Sequence, residues 1–211
     1  VASTQVEEKT AVNLIDKSIA SLNENSKLSY PETFNAHERI VTLEGEAYFE
    51  VEPDKARPFI IQVGESRVRV VGTAFNINAF NPDSIVVTVK EGIVNLSNEK
   101  NKEGILLEAN TQGSVINNGA PIKSVTNNSN YLFWHDGVLL FNDEPLLSVA
   151  KALNHYIGAS VEIKDEAIMN CKVTGSFGNP ELTKILQLIE MTLDVQVESV
   201  DGIYVISGEG C

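Results

Sequence analysis

One dipeptide in this chain has a chemical reading of its own. In Val70-Val71-Gly72-Thr73-Ala74-Phe75 the Thr73 hydroxyl follows a glycine carbonyl with no side-chain bulk around it. On a strained backbone the Thr Oγ can attack the Gly72 carbonyl carbon in an N-to-O acyl shift, and the resulting ester hydrolyses. By composition alone the structural reading prevails, because Gly-Thr is common in tight turns between strands. A second set is the row Glu44, Glu46, Glu50 and Glu52. Paired carboxylates are the groups of glycoside hydrolysis. These four share one strand parity and face solvent, with no apolar pocket to make one the acid and another the base, so they read as a solvated acidic face. Arg67 and Arg69 alternate with Val68 and Val70 and also point outward, where cross-strand pairing with such glutamates is the expectation.

The remaining chemistry-bearing residues form no constellation. His37, His135 and His155 stand alone, without a second ligand at metal spacing, and His155 reads as a surface or capping residue beside Tyr156. Gly175-Ser176-Phe177-Gly178 resembles a phosphate loop only superficially, since no Lys-Ser or Lys-Thr follows. No catalytic residue beyond the Gly72-Thr73 step, no metal ligand and no cofactor is expected. Cys171 and Cys211 are too few for a disulfide framework or a zinc site. They could pair in an oxidising compartment, but with Cys211 at a terminus the reading is one buried free thiol and one terminal thiol.

Charge narrows the partners. With 16 basic and 29 acidic residues among 211, the formal net charge is −13, which disfavours nucleic acid and anionic membranes. Residues 131–211 hold 12 acids against 4 lysines, a net of −8. Hydrophobic residues at 43% suffice for a sizeable core, and nothing approaches the roughly 20 apolar residues of a membrane span. The chain opens on Val1, which reads as a piece of a longer protein.

Elements that would position these residues change character near residue 130. Upstream, apolar runs at Arg39–Leu43, Ala47–Val51, Phe59–Val63, Arg67–Val71, Ala74–Phe80, Ile85–Lys90 and Gly92–Leu96 are separated by turn signals at Glu44-Gly45, Gly64-Glu65, Asn81-Pro82-Asp83 and Glu91-Gly92. Even spacing without helical period predicts an antiparallel β sandwich or roll over residues 18–125. Residues 1–17 read as a lead-in, with mobility the expectation, and 126–130 as a polar linker. Residues 131–211 predict a small α+β domain of two strand–helix–strand units. The first is Val138–Phe141, a helix starting in Asn142-Asp143-Glu144-Pro145 and closed by Gly158, then Val161–Ile163. The second is Lys172–Phe177, a helix over Glu181–Thr192 with Leu182, Ile185, Leu186 and Ile189 on one face, then Val195–Glu198. Ile203–Ile206 follows.

Two strings together carry a resemblance. Gly45-Glu46-Ala47-Tyr48-Phe49-Glu50-Val51 and Gly72-Thr73-Ala74-Phe75-Asn76, with Arg57-Pro58-Phe59 and Val89-Lys90-Glu91-Gly92-Ile93-Val94, resemble the periplasmic domain of FecR-type anti-sigma regulators. Trp134-His135-Asp136-Gly137-Val138 and Val173-Thr174-Gly175-Ser176-Phe177 resemble the companion C-terminal domain of Bacteroidetes members, similar in plan to the short signalling domain of secretins and TonB-dependent receptors. The resemblance implies the periplasmic sensor region of a single-pass inner-membrane protein. Such a sensor relays the ligand-bound state of a TonB-dependent outer-membrane transporter, through that transporter's N-terminal signalling domain. The relay ends on an extracytoplasmic-function (ECF) sigma factor, which is held by a cytoplasmic segment absent here. Some members cleave themselves at a Gly-Thr step that Gly72-Thr73 matches by position.

Exposed sheet edges in the second domain are the expected contact, with Val138, Leu140, Val173, Gly175, Phe177, Ile203 and Val205 the candidate partner-binding residues. The excess of acid there predicts a neutral or basic partner surface. The alternatives are a carbohydrate-binding or carbohydrate-active β-sandwich surface protein and a purely adhesive one.

Overall fold

The computed structural model describes residues 1–81, 83–126 and 128–211; Pro82 of the Asn81-Pro82-Asp83 turn and Asn127 of the expected linker lie outside the described residues. The chain is mainly β, 49% strand and 15% helix, with the helices confined to the C-terminal part. It divides into two units, Val1–Asn127 and Asn128–Cys211.

In the first unit the strands are β1 (Ala2–Ser3), β2 (Thr10–Asn13), β3 (Ile19–Leu22), β4 (Lys27–Ser29), β5 (Arg39–Glu50), β6 (Phe59–Val63) and β7 (Ser66–Val70). They continue as β8 (Ala74–Asn81), β9 (Ser84–Glu91), β10 (Ile93–Asn98), β11 (Asn101–Glu108), β12 (Thr111–Ile116) and β13 (Ile122–Val125). They pair in the order β11-β10-β7-β6-β5-β8-β9-β12-β13, with β3 and β4 also joined to β5, β2 to β3 and β1 to β4.

The path folds over at β5. Its first half pairs with β4 and β6, its second half with β3 and β8, so one strand belongs to two sheets. The sequence predicted a turn at Glu44-Gly45; the structure has a bend inside one continuous strand instead. Gly45 takes φ +91°, and a Cβ there would fall 2.9 Å from the Ser26 Cα, so the corner admits only glycine. One pair, β5–β6, is parallel, from Arg39↔Phe59 to Thr42↔Gln62. A tight turn cannot join parallel strands, and the return path here is the second half of β5 and residues 51–58.

Inward-facing residues of both sheets form one core, in which Phe49 stacks on Phe75 at 5.5 Å and Phe59 receives the edge of Phe34 at 5.9 Å. Such ring pairs add about 0.5–1.5 kcal/mol each beyond their burial. Arg39 enters this core almost completely buried. Its guanidinium donates to Asp16 Oδ2 (2.6 Å), the Glu52 carbonyl (2.9 Å), the Arg57 carbonyl (2.8 Å) and the Val71 carbonyl (3.4 Å), and lies over the Phe59 ring. Residues 1–17 are therefore not a lead-in outside the fold. They supply β1 and β2, and Asp16 in the β2–β3 turn anchors them to the buried arginine.

The second unit contains the helices α1 (Phe133–Asp136), α2 (Leu146–Ile157) and α3 (Leu182–Leu193). Its strands are β14 (Val138–Pro145), β15 (Val161–Ile163), β16 (Lys172–Gly178), β17 (Gln196–Val200) and β18 (Ile203–Ser207). The helical periodicity holds, since α2 buries Leu146, Val149, Ala150 and Leu153 while α3 buries Ile185, Leu186, Ile189 and Leu193. Gly158 closes α2 in the left-handed conformation, at φ 69°. Residues 142–145, expected as the helix start, instead extend β14. Pairing with Val173 and Lys172 keeps Glu144 and Pro145 extended. Cys171 and Cys211, expected as free thiols, are joined in a disulfide. The bond ties the segment before β16 to the segment after β18, a proximity that only the folded chain creates.

Candidate functional site

Gly72 and Thr73 lie where the chain crosses from one sheet to the other, between β7 and β8. Their neighbours are held on both sides. Val51 N–H donates to the Thr73 carbonyl (3.0 Å), and Asp54 N–H and Arg39 both donate to the Val71 carbonyl. Gly72 packs so tightly on Pro53 that a Cβ would sit 2.7 Å from the Pro53 Cα. Thr73 is 6% exposed, and its Oγ1 donates to the Ile93 carbonyl at 3.1 Å. A carbonyl orients that hydroxyl without being a useful base. A cavity of about 420 Å³ opens on one side of the dipeptide, walled by Lys17, Glu50, Glu52 and Glu91; another of about 510 Å³ opens on the other, walled by Lys55, Arg69, Val71, Ile93 and Leu106.

The glutamate row does not behave as one solvated face. Glu46 is 5% exposed, accepting from Asn23 Nδ2 (2.7 Å) and Asn76 Nδ2 (2.8 Å), while Glu44 is exposed and pairs with Lys27. Strand parity placed Glu46 outside, but neighbouring strands bring two amides over it. Nor do the arginines meet glutamates. Arg67 faces Gln62 and Ser97 across the ladder and donates to the Gln62 amide oxygen (3.2 Å); Arg69 faces Ile60 and Asn95. His37, His135 and His155 are exposed, and among the described residues no three His, Cys, Asp or Glu side chains converge to hold a metal ion.

In the second unit the candidate partner residues separate by edge. β18 lies between β15 and β17, paired with both, so the main chain at Ile203 and Val205 has no free side for an added strand. β14 and β16 form a two-stranded ribbon carrying Val138, Leu140, Val173, Gly175 and Phe177. On β14 the outer main chain is already bonded. Val138 N–H donates to Asp136 Oδ1 (2.9 Å), Leu140 N–H donates to Asn130 Oδ1 (2.7 Å), and Asn130 Nδ2 returns a bond to the Leu140 carbonyl (3.1 Å). Asn130, expected in a linker, is therefore a buried brace. An asparagine amide offers a donor and an acceptor side by side, as a strand's peptide groups do.

The same device covers β15, where Val161 N–H and carbonyl bond the Asn154 amide at 2.7 and 3.0 Å. On β17, Val197 N–H donates to Glu190 Oε1 (2.9 Å). On β16, Val173 is buried, the Phe177 ring lies over Gly175 and against Phe141, and the outward residues Thr174 and Ser176 are exposed. Among the described residues no side chain bonds the outer main chain of β16. The asparagine signal was present in the sequence, but only the fold shows which peptide each amide meets.

Comparison with known proteins gives concordant matches to both units. The FecR protein family matches residues 1–95, and the FecR C-terminal family matches residues 138–206. Crystal structures of a candidate anti-sigma factor from Parabacteroides distasonis, at 1.65 Å and 2.50 Å, are similar with TM-scores of 0.62 and 26% identity. The first match covers 99% of this chain and 99% of that one, the second 99% and 98%. No curated protein matches the chain.

Proposed function

The chain belongs to the FecR family, and from that premise we propose that it is the periplasmic sensor region of a membrane-anchored anti-sigma regulator. In this reading it receives the N-terminal signalling domain of a TonB-dependent outer-membrane transporter and passes the transporter's ligand-bound state to an ECF sigma factor. The work is done by protein–protein contact. The observation that supports it is the unbraced edge of β16, where the outer main chain of β14 is bonded by Asn130, that of β15 by Asn154, and that of β17 at Val197 by Glu190. An added strand would find its hydrogen bonds there, with Thr174 and Ser176 beside it.

Calorimetric titration of the whole chain with that signalling domain tests the reading. One-to-one binding is expected, and Ser176→Pro is expected to weaken it at least about tenfold, because proline removes an edge donor and bars strand addition. The β14–β16 ribbon stays intact, since Ser176 points its main chain away from β14. Unchanged binding by the proline variant would move the contact off β16, and absence of heat from the unmodified pair would remove the relay.

The Gly72–Thr73 step belongs to the same reading as a self-cleavage site. Its chemistry needs Thr73 Oγ to leave the Ile93 carbonyl and close on the Gly72 carbonyl carbon. The hydroxyl proton passes to the peptide nitrogen as the Gly72–Thr73 C–N bond breaks, and water then hydrolyses the ester to a Gly72 carboxylate and a free Thr73 hydroxyl. Mass spectrometry of freshly purified chain tests it: products ending at Gly72 and beginning at Thr73, abolished by Thr73→Val, would establish the step. Intact mass alone after prolonged incubation would make the dipeptide a crossover and nothing more.

A further inference from the structure

The outer face of the sheet formed by β6, β7, β10 and β11 combines exposed apolar side chains with cations that have no acidic partner. One register row runs Ile40, Ile60, Arg69, Asn95, Leu106 across five strands. At about 4.8 Å per strand that row is about 19 Å long. Leu106 is 57% exposed and Ile93, beside it, 56%. Val71, Ile93 and Leu106 wall the cavity of about 510 Å³, with Lys55 and Arg69 at its margins. The side chains of Arg69 and Lys55 make no hydrogen bond or ion pair among the described residues. Two carboxylates on this face are already paired, Glu108 with Lys123 and Glu44 with Lys27. The Lys123 ammonium holds the Glu108 carboxyl below its usual range. In a chain of net charge −13 this leaves a local cationic surface around an apolar hollow.

We propose that this face docks an acidic segment of another protein, one that presents carboxylates next to large apolar side chains. The hollow takes an apolar side chain, Arg69 and Lys55 take the neighbouring carboxylates, and the row to Ile40 gives the length an extended chain requires. A lipid surface suits the site less well. Anionic membranes are bound by clusters of about 4–8 cations, and the acidic body of the chain is repelled by them. The face belongs to the first unit and the β16 edge to the second, so a substitution can alter either contact by itself.

Short random peptides displayed on phage, selected on the whole chain and re-screened on Arg69→Glu, test this. The peptides that lose binding to Arg69→Glu are expected to be rich in Asp and Glu beside Leu, Ile or Phe. A representative synthetic peptide should bind Arg69→Glu about tenfold more weakly. It should weaken similarly on Leu106→Asn and between about 50 and about 500 mM salt. Unchanged melting temperatures certify both variants as folded. If no selected peptide depends on Arg69, or the dependent ones lack acids, the proposal falls. Arg69-dependent sedimentation with phosphatidylglycerol vesicles and no such peptides would replace it with a membrane contact. Arg69-dependent self-association in light scattering would replace it with a second copy of this chain.

Discussion

Arg39→Met is expected to destabilise the first unit by about 3–5 kcal/mol, the cost of leaving a buried carboxylate without its cation. The Asp16 side chain is 6% exposed and the Arg39 side chain 1%, so neither can recover its hydration. The arginine also satisfies carbonyls of Glu52, Arg57 and Val71, three main-chain acceptors from two loops. Arg39→Lys should recover little, since one ammonium cannot reach four acceptors in that fork geometry. Asp16→Asn combined with Arg39→Met should recover part of the loss by removing the stranded charge. Urea titration followed through amide signals of β2, β5 and β8 measures each. A loss below about 1 kcal/mol for Arg39→Met would show that the site relaxes or floods with water and that the clamp is weak.

Reducing the Cys171–Cys211 bond is expected to lower the stability of the second unit by about 3–4 kcal/mol and to leave the first unit unchanged. The bond closes a loop with a sequence separation of 40, and restriction of the unfolded chain over such a loop accounts for that magnitude. Cys171 is itself a core residue, 1% exposed, in the same cluster as Ile168 and the buried residues of α2. Cys211→Ser is therefore the cleaner variant, because it removes the cross-link and keeps the buried thiol. Trp134 lies in this unit and reports its unfolding. An unfolding midpoint indifferent to reductant would mean that the core of α2 and α3 alone sets the stability. In an oxidising compartment the bond persists, which accords with the location proposed for the chain.

Local pattern was enough for much of this protein. Leu146, Val149, Ala150 and Leu153 repeat at helical spacing and do face the core from α2, and alternation in Arg67–Val70 placed those side chains correctly. Both kinds of period arise from backbone geometry within one element, so they survive without knowledge of neighbours. The family strings were likewise local, and so was the Gly72-Thr73 step. What depended on neighbours was not legible. Gly45 reads as a turn residue in any window of the sequence, yet its φ and its contact with Ser26 make it the corner of a single strand shared by two sheets. Glu46 alternates like a solvent residue and is buried because Asn23 and Asn76 arrive from other strands. Arg67 and Arg69 lack glutamate partners because register sets Gln62, Ile60, Asn95 and Ser97 opposite them. The pairing of Cys171 with Cys211, the central place of β18 and the open side of β16 belong to the same class. Period is a property of one segment. Register, edges and pairings are properties of segments far apart in the chain, and only their packing together decides them.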